Sequence, residues 1–147
     1  MRMVRKGTKE DVRAVCTLEK TVFSDPWRED DVLRHVTEGH LVLYVYEENG
    51  DIVGYLLGAV IPPEGELYRV AVAPDARGRG MGEALCRAFL ADSEVCFLEV
   101  RKSNAAARRL YEKLGFLLTG ERRGYYRDPK EDACLYRREE TYEDHRL

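Results

Sequence analysis

A glycine-rich turn is the first part of the sequence that could bind a ligand. It reads Arg77-Gly78-Arg79-Gly80-Met81-Gly82 and lies between a predicted strand and a predicted helix. Three glycines allow a tight turn and bring successive backbone N–H groups against a ligand. The N-terminus of the following helix adds partial positive charge at the same point, and the two arginines add full charges. The turn therefore predicts a phosphate site.

Two common phosphate-binding motifs do not fit this turn. A P-loop requires Lys followed by Ser or Thr after its last glycine, whereas Glu83 and Ala84 follow here. A Rossmann fingerprint requires a glycine at position 83. The turn can also be a plain strand-to-helix connection with solvated arginines, and the turn alone leaves that alternative open.

A glutamate interrupts a short apolar strand. Residues 95–100 read Val-Cys-Phe-Leu-Glu-Val, which is typical of a strand buried on both faces. A carboxylate in such a strand is costly unless it is paired or functional. We therefore expect Glu99 to be desolvated, either as a general base or in a buried ion pair with an arginine.

No other residue pattern points to covalent or metal chemistry. His35, His40 and His145 have neither metal-ligand nor triad spacing, so no metal is expected. The four cysteines form no CxxC pair: Cys16, Cys86, Cys96 and Cys134. Their apolar surroundings disfavour the thiolate, so we expect reduced, buried thiols and no covalent intermediate.

Hydrophobic periodicity predicts the elements that would position these groups. A capping box at residues 8–11 begins a helix in the N-terminal half, and Asn49-Gly50 is a strong hairpin signal. The elements predicted here are a strand at 3–6, helices at 8–23 and 28–37, and strands at 41–47, 52–60 and 66–73.

The C-terminal half alternates helices and strands. Apolar spacing predicts one helix directly after the glycine turn and another whose apolar face includes Tyr111. Ser103 or Asn104 can cap this second helix, and Gly115 suits the position just after its end. Strands are predicted at 95–100 and, more weakly, at 116–119, 122–126 and 133–137.

These elements predict one α/β domain over residues 1–147, with a mixed sheet and helices on both faces. A chain of this length can bury a substantial core without a metal or a disulfide. The sequence becomes highly charged from about residue 138, so we expect a frayed tail there.

Net charge and hydropathy exclude several classes of protein. The formal net charge is −3, which disfavours binding to nucleic acid or to a membrane surface. No apolar run approaches the roughly 18 residues of a membrane-spanning helix, and no signal peptide is visible at the N-terminus. We expect a cytoplasmic protein that is a monomer or a weak dimer.

Four segments of the sequence resemble the GNAT N-acetyltransferases. Arg77-x-x-Gly80-x-Gly82 is similar to the pyrophosphate-binding signature of that family, which binds acetyl-CoA. The segment from Leu98 to Phe116 is more specific and resembles the RimI branch, which acetylates protein N-termini. Pro26-Trp27 and the stretch Arg122-Arg123-Gly124-Tyr125-Tyr126 match this branch too, so the resemblance covers nearly the whole chain.

The resemblance implies a GNAT fold and a binding site for acetyl-CoA. The implied sheet is mixed but mostly antiparallel, and its central pair of strands is splayed. Main-chain groups of Val70, Ala71 and Val72 would hold the pantetheine and thioester, and Asn104 would contact CoA. The pyrophosphate would bind to the glycine turn, which comprises Arg77, Gly78, Arg79, Gly80, Met81 and Gly82.

The resemblance also implies two catalytic residues. Glu99 would accept a proton from the acceptor amine, directly or through a water, and Tyr111 would protonate the departing sulfur of CoA. From spacing alone, Tyr111 can equally be a core tyrosine, and Asn104 a plain helix cap. Tyr125 and Tyr126 either wall the acceptor site or are ordinary strand aromatics.

The sequence is therefore interpreted as an acetyl-CoA-dependent N-acetyltransferase without a metal. Its expected substrate is the N-terminal α-amine of a protein, with a ribosomal protein as one candidate, and direct attack in a ternary complex is expected. Two alternatives stay open. One is a GNAT enzyme that acts on lysine or a small amine, and the other is a non-catalytic module that binds acyl-CoA.

Overall fold

The computed structural model describes residues 1–140 and contains seven strands and four helices in that range. The strands are β1 (Arg2–Lys6), β2 (Val42–Glu48), β3 (Asp51–Ile61), β4 (Glu64–Val72), β5 (Val95–Arg101), β6 (Leu117–Tyr126) and β7 (Glu131–Glu139). The helices are α1 (Val12–Val22), α2 (Glu29–Thr37), α3 (Met81–Leu90) and α4 (Ala105–Lys113). No helix among the described residues is long and apolar enough to cross a bilayer.

The strands form one sheet in the order β1-β2-β3-β4-β5-β7-β6. Every neighbouring pair is antiparallel except β4 and β5, which run parallel over Glu64–Leu67 and Val95–Leu98. The predicted mixed, mostly antiparallel sheet is thus confirmed. Because β4 and β5 are the central parallel pair, their C-terminal ends point to the same edge of the molecule.

Two hydrophobic cores cover opposite faces of this sheet. Alternate residues of β3 divide between them: Leu56 packs in the core beneath α3 and α4, whereas Tyr55 and Leu57 pack in the core beneath α1 and α2. This division follows from the period-2 alternation of side chains along a strand. The predicted helices on both faces are confirmed.

The bounds of several helices and strands differ from the predicted ones. The first predicted helix begins as a short 3-10 turn at Lys9–Asp11. There the Asp11 carboxylate accepts the Thr8 N–H at 2.8 Å and pairs with Arg5 at 2.9 Å. The hairpin at Asn49-Gly50 is confirmed, and both residues have the positive φ angles, 53° and 88°, that a tight two-residue turn requires.

The C-terminal strands are longer than predicted. The two weak strands at 116–119 and 122–126 form one strand, β6, whose register against β7 is interrupted by irregularities. β7 continues through Glu139 because residues 138 and 139 pair with Cys96 and Val95 of β5. The predicted start of a frayed tail at about residue 138 is therefore wrong, and the rest of that predicted tail, 141–147, lies outside the described residues.

Candidate active site

The centre of the sheet opens where β4 and β5 separate. β4 has a bulge at Tyr68, because Leu57 pairs with Arg69 while Gly58 pairs with Leu67. Gly58 is needed at this point, since a Cβ there would lie 2.6 Å from the Phe89 ring and 2.7 Å from a backbone oxygen. Beyond Leu67, among the described residues, β4 pairs only with β3, so the edge that faces β5 is left open.

Val70, Ala71 and Val72 lie on this open segment of β4. Their side chains are buried or half-buried, and Val70 and Ala71 contribute to the two cores. Their main chain pairs with β3 on one side and faces the opening on the other, where an extended ligand can bind it in the manner of an added strand.

The glycine turn leads from β4 into α3. Gly78 and Gly80 have φ angles of 82° and 77°, which L-residues with a side chain rarely adopt, and Gly80 is the N-cap of the helix. The first intrahelical bond after the turn joins the Ala84 N–H to the Gly80 oxygen. The preceding N–H groups, those of Met81, Gly82 and Glu83, therefore form the free positive end of α3. The Met81 side chain is buried, so only its main chain can contact a ligand.

Charged side chains around the turn are held in fixed positions. Arg77 Nε donates to the Val72 oxygen at 3.1 Å, and Arg79 pairs with Glu48 at 3.1 Å, so both arginines are anchored although exposed. Glu83 would oppose a phosphate, but its carboxylate pairs with Lys113 at 2.7 Å and with Arg87 at 3.0 Å. Hydrogen bonding to Lys113 and Arg87 lowers the pKa of Glu83.

Glu99 lies on β5 just after the last residue that pairs with β4. Its side chain is 32% exposed, so the expectation of a desolvated carboxylate is wrong: the strand has separated from its neighbour and solvent reaches this position. The alternative of a buried ion pair is also wrong, because its arginine partner, Arg122, is 58% exposed and 3.9 Å away. Hydrogen bonding with Glu99 and burial raise the pKa of Tyr125.

Tyr111 projects from α4 into the core. It is 5% exposed, and its ring packs edge-on against Phe116, with centroids 5.7 Å apart. Burial raises the pKa of its hydroxyl well above the ordinary value, with smaller contributions from Cys86, Tyr126 and Cys96. The same hydroxyl forms no hydrogen bond within residues 1–140. Tyr111 is therefore a protonated donor that lacks a partner in the described part of the chain.

Tyr126 interacts electrostatically with both predicted catalytic residues. Burial and the Glu99 charge raise its pKa to about 12, and it contributes in turn to the raised pKa of Tyr111. Arg101 lies over its ring, 4.5 Å from the centroid. Tyr126 therefore stays neutral at physiological pH.

Asn104 caps α4. Its Oδ1 accepts the Ala107 N–H at 3.1 Å, which confirms the predicted cap. Because the cap uses only Oδ1, the side-chain amide can still donate to a ligand. Asn104 is exposed, as a ligand-binding role requires.

Sequence reasoning missed a buried network beside the opening. Glu19 on α1 is 1% exposed, and it accepts hydrogen bonds from the Tyr55 hydroxyl and, at 2.9 Å, from the Trp27 N–H. Arg69 of β4 lies 3.4 Å from the same carboxylate. The only signal of this network in the sequence is that Glu19 lies at an otherwise apolar position of the predicted helix. That pattern does not identify the residues that pair with Glu19.

Arg69 joins the loop between α1 and α2 to the sheet. Its guanidinium donates to the Asp25 oxygen at 2.8 Å and stacks on the Phe23 ring at 4.0 Å. The Trp27 ring contacts Tyr68 at the bulge of β4, with centroids 5.8 Å apart. The Pro26-Trp27 segment is thereby held as one wall next to the opening.

A second wall comes from the connection between β6 and β7. Arg101, at the end of β5, donates to the Pro129 oxygen at 2.9 Å and to the Arg127 oxygen at 3.0 Å. The Ser24 hydroxyl donates to the Asp128 oxygen at 3.4 Å, so the two walls touch. Tyr125 and Tyr126 lie at the end of β6, directly before this second wall.

The cysteines take no part in this arrangement. All four are buried and unpaired with one another. Burial raises the pKa of Cys16 to about 11 and the pKa of Cys86 and of Cys96 to about 12. These three thiols are protonated at neutral pH, as predicted, and are poor nucleophiles.

Comparison with known proteins agrees with this geometry. The model of the acetyltransferase (GNAT) family matches residues 12–116. A putative ribosomal protein bS18-alanine N-acetyltransferase of Bacillus subtilis is 33% identical over 90% of this chain and 91% of its own length. N-alpha-acetyltransferase RimI of Mycobacterium tuberculosis is 36% identical over 90% and 89%.

A solved structure is similar over the whole chain. The crystal structure of the ribosomal-protein-S18-alanine N-acetyltransferase from Escherichia coli superposes with a TM-score of 0.88 at 29% identity, covering 100% of this chain and 99% of that one. The opening between β4 and β5, the glycine turn at α3 and the matching sequences lead to one conclusion. The chain belongs to the GNAT acetyltransferase family and is a RimI-like, acetyl-CoA-dependent N-acetyltransferase.

Proposed function

We propose that the protein transfers an acetyl group from acetyl-CoA to the N-terminal α-amine of a protein, by direct attack within a ternary complex. The observation that carries this proposal is the position of Glu99, a partly exposed carboxylate at the opening between β4 and β5. The glycine turn lies on the cofactor side of this opening, and two loop walls lie on the acceptor side.

Acetyl-CoA would bind mainly through the main chain. Free N–H groups at the start of α3 and the anchored Arg77 and Arg79 suit a pyrophosphate. The open edge of β4 from Val70 to Val72 would pair with the pantetheine and orient the thioester carbonyl. The Asn104 side-chain amide would contact CoA from the start of α4.

Glu99 would generate the nucleophile. The acceptor arrives as an ammonium, and Glu99 would accept its proton, directly or through one water. The neutral nitrogen then attacks the thioester carbonyl carbon, so that a C–N bond forms and the C–S bond breaks, and the second proton of the nitrogen is released to solvent as the amide forms. An α-ammonium has a pKa of about 7.7–8.0 against about 10.4 for a lysine ammonium, so an N-terminus loses its proton more easily than a lysine side chain.

Tyr111 would neutralise the negative charge that develops on the departing sulfur of CoA. Its raised pKa keeps the hydroxyl protonated at neutral pH, and it has no partner within the described residues. It would donate a hydrogen bond to the developing thiolate and then its proton to the sulfur, and the tyrosinate would regain a proton from solvent before the next turnover. These steps use only residues of the chain and need no metal.

The named relatives support the proposed substrate class. Two relatives are named as acetyltransferases of the ribosomal protein bS18, whose acetylated residue is alanine. We therefore propose a ribosomal protein N-terminus as the substrate. A basic protein would suit the net charge of −3. We further propose that residues 1–147 act as one cytoplasmic domain, as a monomer or a weak dimer.

A peptide panel tests this function. Peptides that begin with Ala, Ser, Met or Glu, each with one internal lysine, are incubated with the protein and acetyl-CoA beside N-terminally blocked controls. Mass spectrometry with fragmentation then locates the acetyl group. We expect acetylation of the α-amine in the free peptides and none in the blocked ones.

The other outcomes would contradict the proposal. Acetylation of the internal lysine in blocked peptides would indicate a lysine acetyltransferase. Binding of acetyl-CoA without transfer to any peptide would contradict a peptide acceptor, and a panel of polyamines and aminoglycosides would then distinguish a small-amine acetyltransferase from a non-catalytic module.

A further inference from the structure

The C-terminal end of α2 brings two histidines together. Gly39 has a φ of 80°, and its N–H donates to the Val36 oxygen at 3.2 Å, while the His40 N–H donates to the His35 oxygen at 2.8 Å. These two bonds define a Schellman motif, which reverses the chain at a helix end. The reversal places His40 over His35, which a spacing of five residues does not predict for a continuing helix.

Three ligand groups converge at this helix end. His35 Nδ1 and His40 Nδ1 are 3.4 Å apart, and His40 Nδ1 is 3.4 Å from the Glu38 carboxylate. All three ligand atoms lie within 4.8 Å of one another. Zinc bonds to His nitrogen and carboxylate oxygen are about 2.0–2.2 Å long, so neighbouring ligand atoms in a tetrahedral site are about 3.3–3.5 Å apart.

We propose that His35, Glu38 and His40 form a binding site for a divalent transition metal, with zinc as the best match. Two imidazoles and one carboxylate are a familiar zinc ligand set, and water would complete the tetrahedron. The negative end of the α2 dipole favours a cation at this position. The site is separate from the proposed acetyl transfer, which uses none of these residues.

One neighbouring charge opposes metal binding. Arg34 Nη2 lies 3.3 Å from His35 Nε2, and the guanidinium also pairs with Asp31 at 3.4 Å. A metal on Nδ1 places the imidazole proton on Nε2, so the Arg34 guanidinium must turn away. It can do so because its side chain is 59% exposed. Removal of this charge is therefore expected to strengthen binding.

The metal site borders a groove that contains the only tryptophan. Trp27, Asp31, His35, His40, Leu41 and Tyr68 line this groove, which has a volume of about 300 Å3. A paramagnetic ion held by the two histidines would lie close to Trp27 and quench its fluorescence. Metal binding can thus be followed without any assay of acetyl transfer.

The test uses the full chain without a polyhistidine tag. ZnCl2 is titrated by calorimetry, and CoCl2 is titrated by visible absorption and by Trp27 fluorescence. The test variants are His40→Asn and Glu38→Gln, and the control is Asp30→Asn, which removes an exposed carboxylate of the same helix outside the cluster. Thermal unfolding checks that each variant folds.

We expect one zinc ion per chain and quenching of Trp27 by cobalt. His40→Asn and Glu38→Gln are each expected to weaken binding by at least about tenfold, Asp30→Asn to leave it unchanged, and Arg34→Ala to strengthen it severalfold. Absence of saturable binding would overturn the proposal, and so would binding that survives His40→Asn, because the ion would then be held elsewhere. Either result leaves the proposed acetyl transfer untouched.

Discussion

The two sides of the opening between β4 and β5 are formed by different kinds of groups, namely main-chain groups on one side and paired side chains on the other. On the cofactor side, the turn from Arg77 to Gly82 presents main-chain N–H groups at the start of α3. On the acceptor side, the walls are held by side chains: Arg69 reaches Glu19 and Asp25, and Arg101 reaches the connection between β6 and β7. The first arrangement lies within six consecutive residues, whereas the second joins residues up to 104 positions apart along the chain.

This difference separates two kinds of requirement. A main-chain site depends on backbone angles, so it tolerates many side chains but not a residue that forbids those angles. A wall made of paired side chains depends on particular partners, so a single substitution can move it. We therefore expect the cofactor and acceptor sides to respond to different mutations.

The largest effect is expected at the buried pair on the acceptor side. Arg69→Met leaves the Glu19 carboxylate buried without its cation, which destabilises the fold by about 3–5 kcal/mol. Arg87→Met on the cofactor side removes a cation that is 60% exposed and should reduce stability much less. Denaturant unfolding measures the free energy of unfolding of both variants. Equal losses of stability in Arg69→Met and Arg87→Met would contradict the prediction.

Tyr111→Phe tests the proposed proton donor. The phenyl ring keeps the packing against Phe116, so stability and acetyl-CoA affinity should change little. Loss of the hydroxyl is expected to lower kcat by about 10²-fold. Steady-state kinetics with saturating acetyl-CoA measure this effect. An unchanged kcat would mean that Tyr111 is a core tyrosine without a catalytic role.

Gly80→Ala should affect the cofactor side alone. A residue with a side chain at a φ of 77° is strained by about 1–2 kcal/mol, so we expect the turn of the free variant to relax into another conformation. Restoring the binding conformation would then raise the Kd of acetyl-CoA by about five- to thirtyfold. Gly82→Ala is the matched comparison, because its Cβ would meet Leu110 at an ordinary 3.5 Å and its φ is not positive. Calorimetric titration of both variants with acetyl-CoA tests this contrast. Equal Kd values for Gly80→Ala and Gly82→Ala would contradict the prediction.

The cofactor side could be predicted from sequence because its signals are local. The order of strands and helices, the Asn104 cap and the turn before α3 all depend on neighbouring residues, and the structure has them at or near the predicted positions. The splay of β4 and β5 came only from family resemblance. Its physical origin is the bulge at Tyr68, which cannot be recognised from the pattern of residue types along β4.

The acceptor side could not be predicted because its contacts are distant in sequence. The solvent exposure of Glu99 depends on where β5 separates from β4, and an apolar strand around it gives the opposite expectation. The role of Arg69 requires the fold that brings α1 beside β4. The contact between His35 and His40 depends on one left-handed glycine after α2.

The smallest predicted effect concerns a carboxylate that supports the acceptor walls. Glu131 accepts the Ser103 N–H at 2.6 Å and pairs with Arg101, and these contacts lower its pKa. A lowered pKa stabilises the fold above the unfolded value, which is about 4.3, and this stabilisation is lost as the pH falls through the folded value. Glu131→Gln should therefore lower the Tm at neutral pH, by an amount that shrinks in acid.

Thermal unfolding of the unchanged protein and of Glu131→Gln at about pH 7 and about pH 3 measures this difference. A gap between the two Tm values that stays constant with pH would mean that the charge of Glu131 has no part in holding the acceptor walls.

Glu99→Gln tests the proposed chemistry most directly. The variant is loaded with acetyl-CoA and mixed with a peptide that begins with alanine, and formation of acetylated peptide is followed in a single turnover. We expect acetyl-CoA affinity within about twofold of the unchanged protein and a transfer rate lower by at least about 10²-fold. Transfer at the unchanged rate, with acetyl-CoA bound normally, would contradict the assignment of Glu99 as the base.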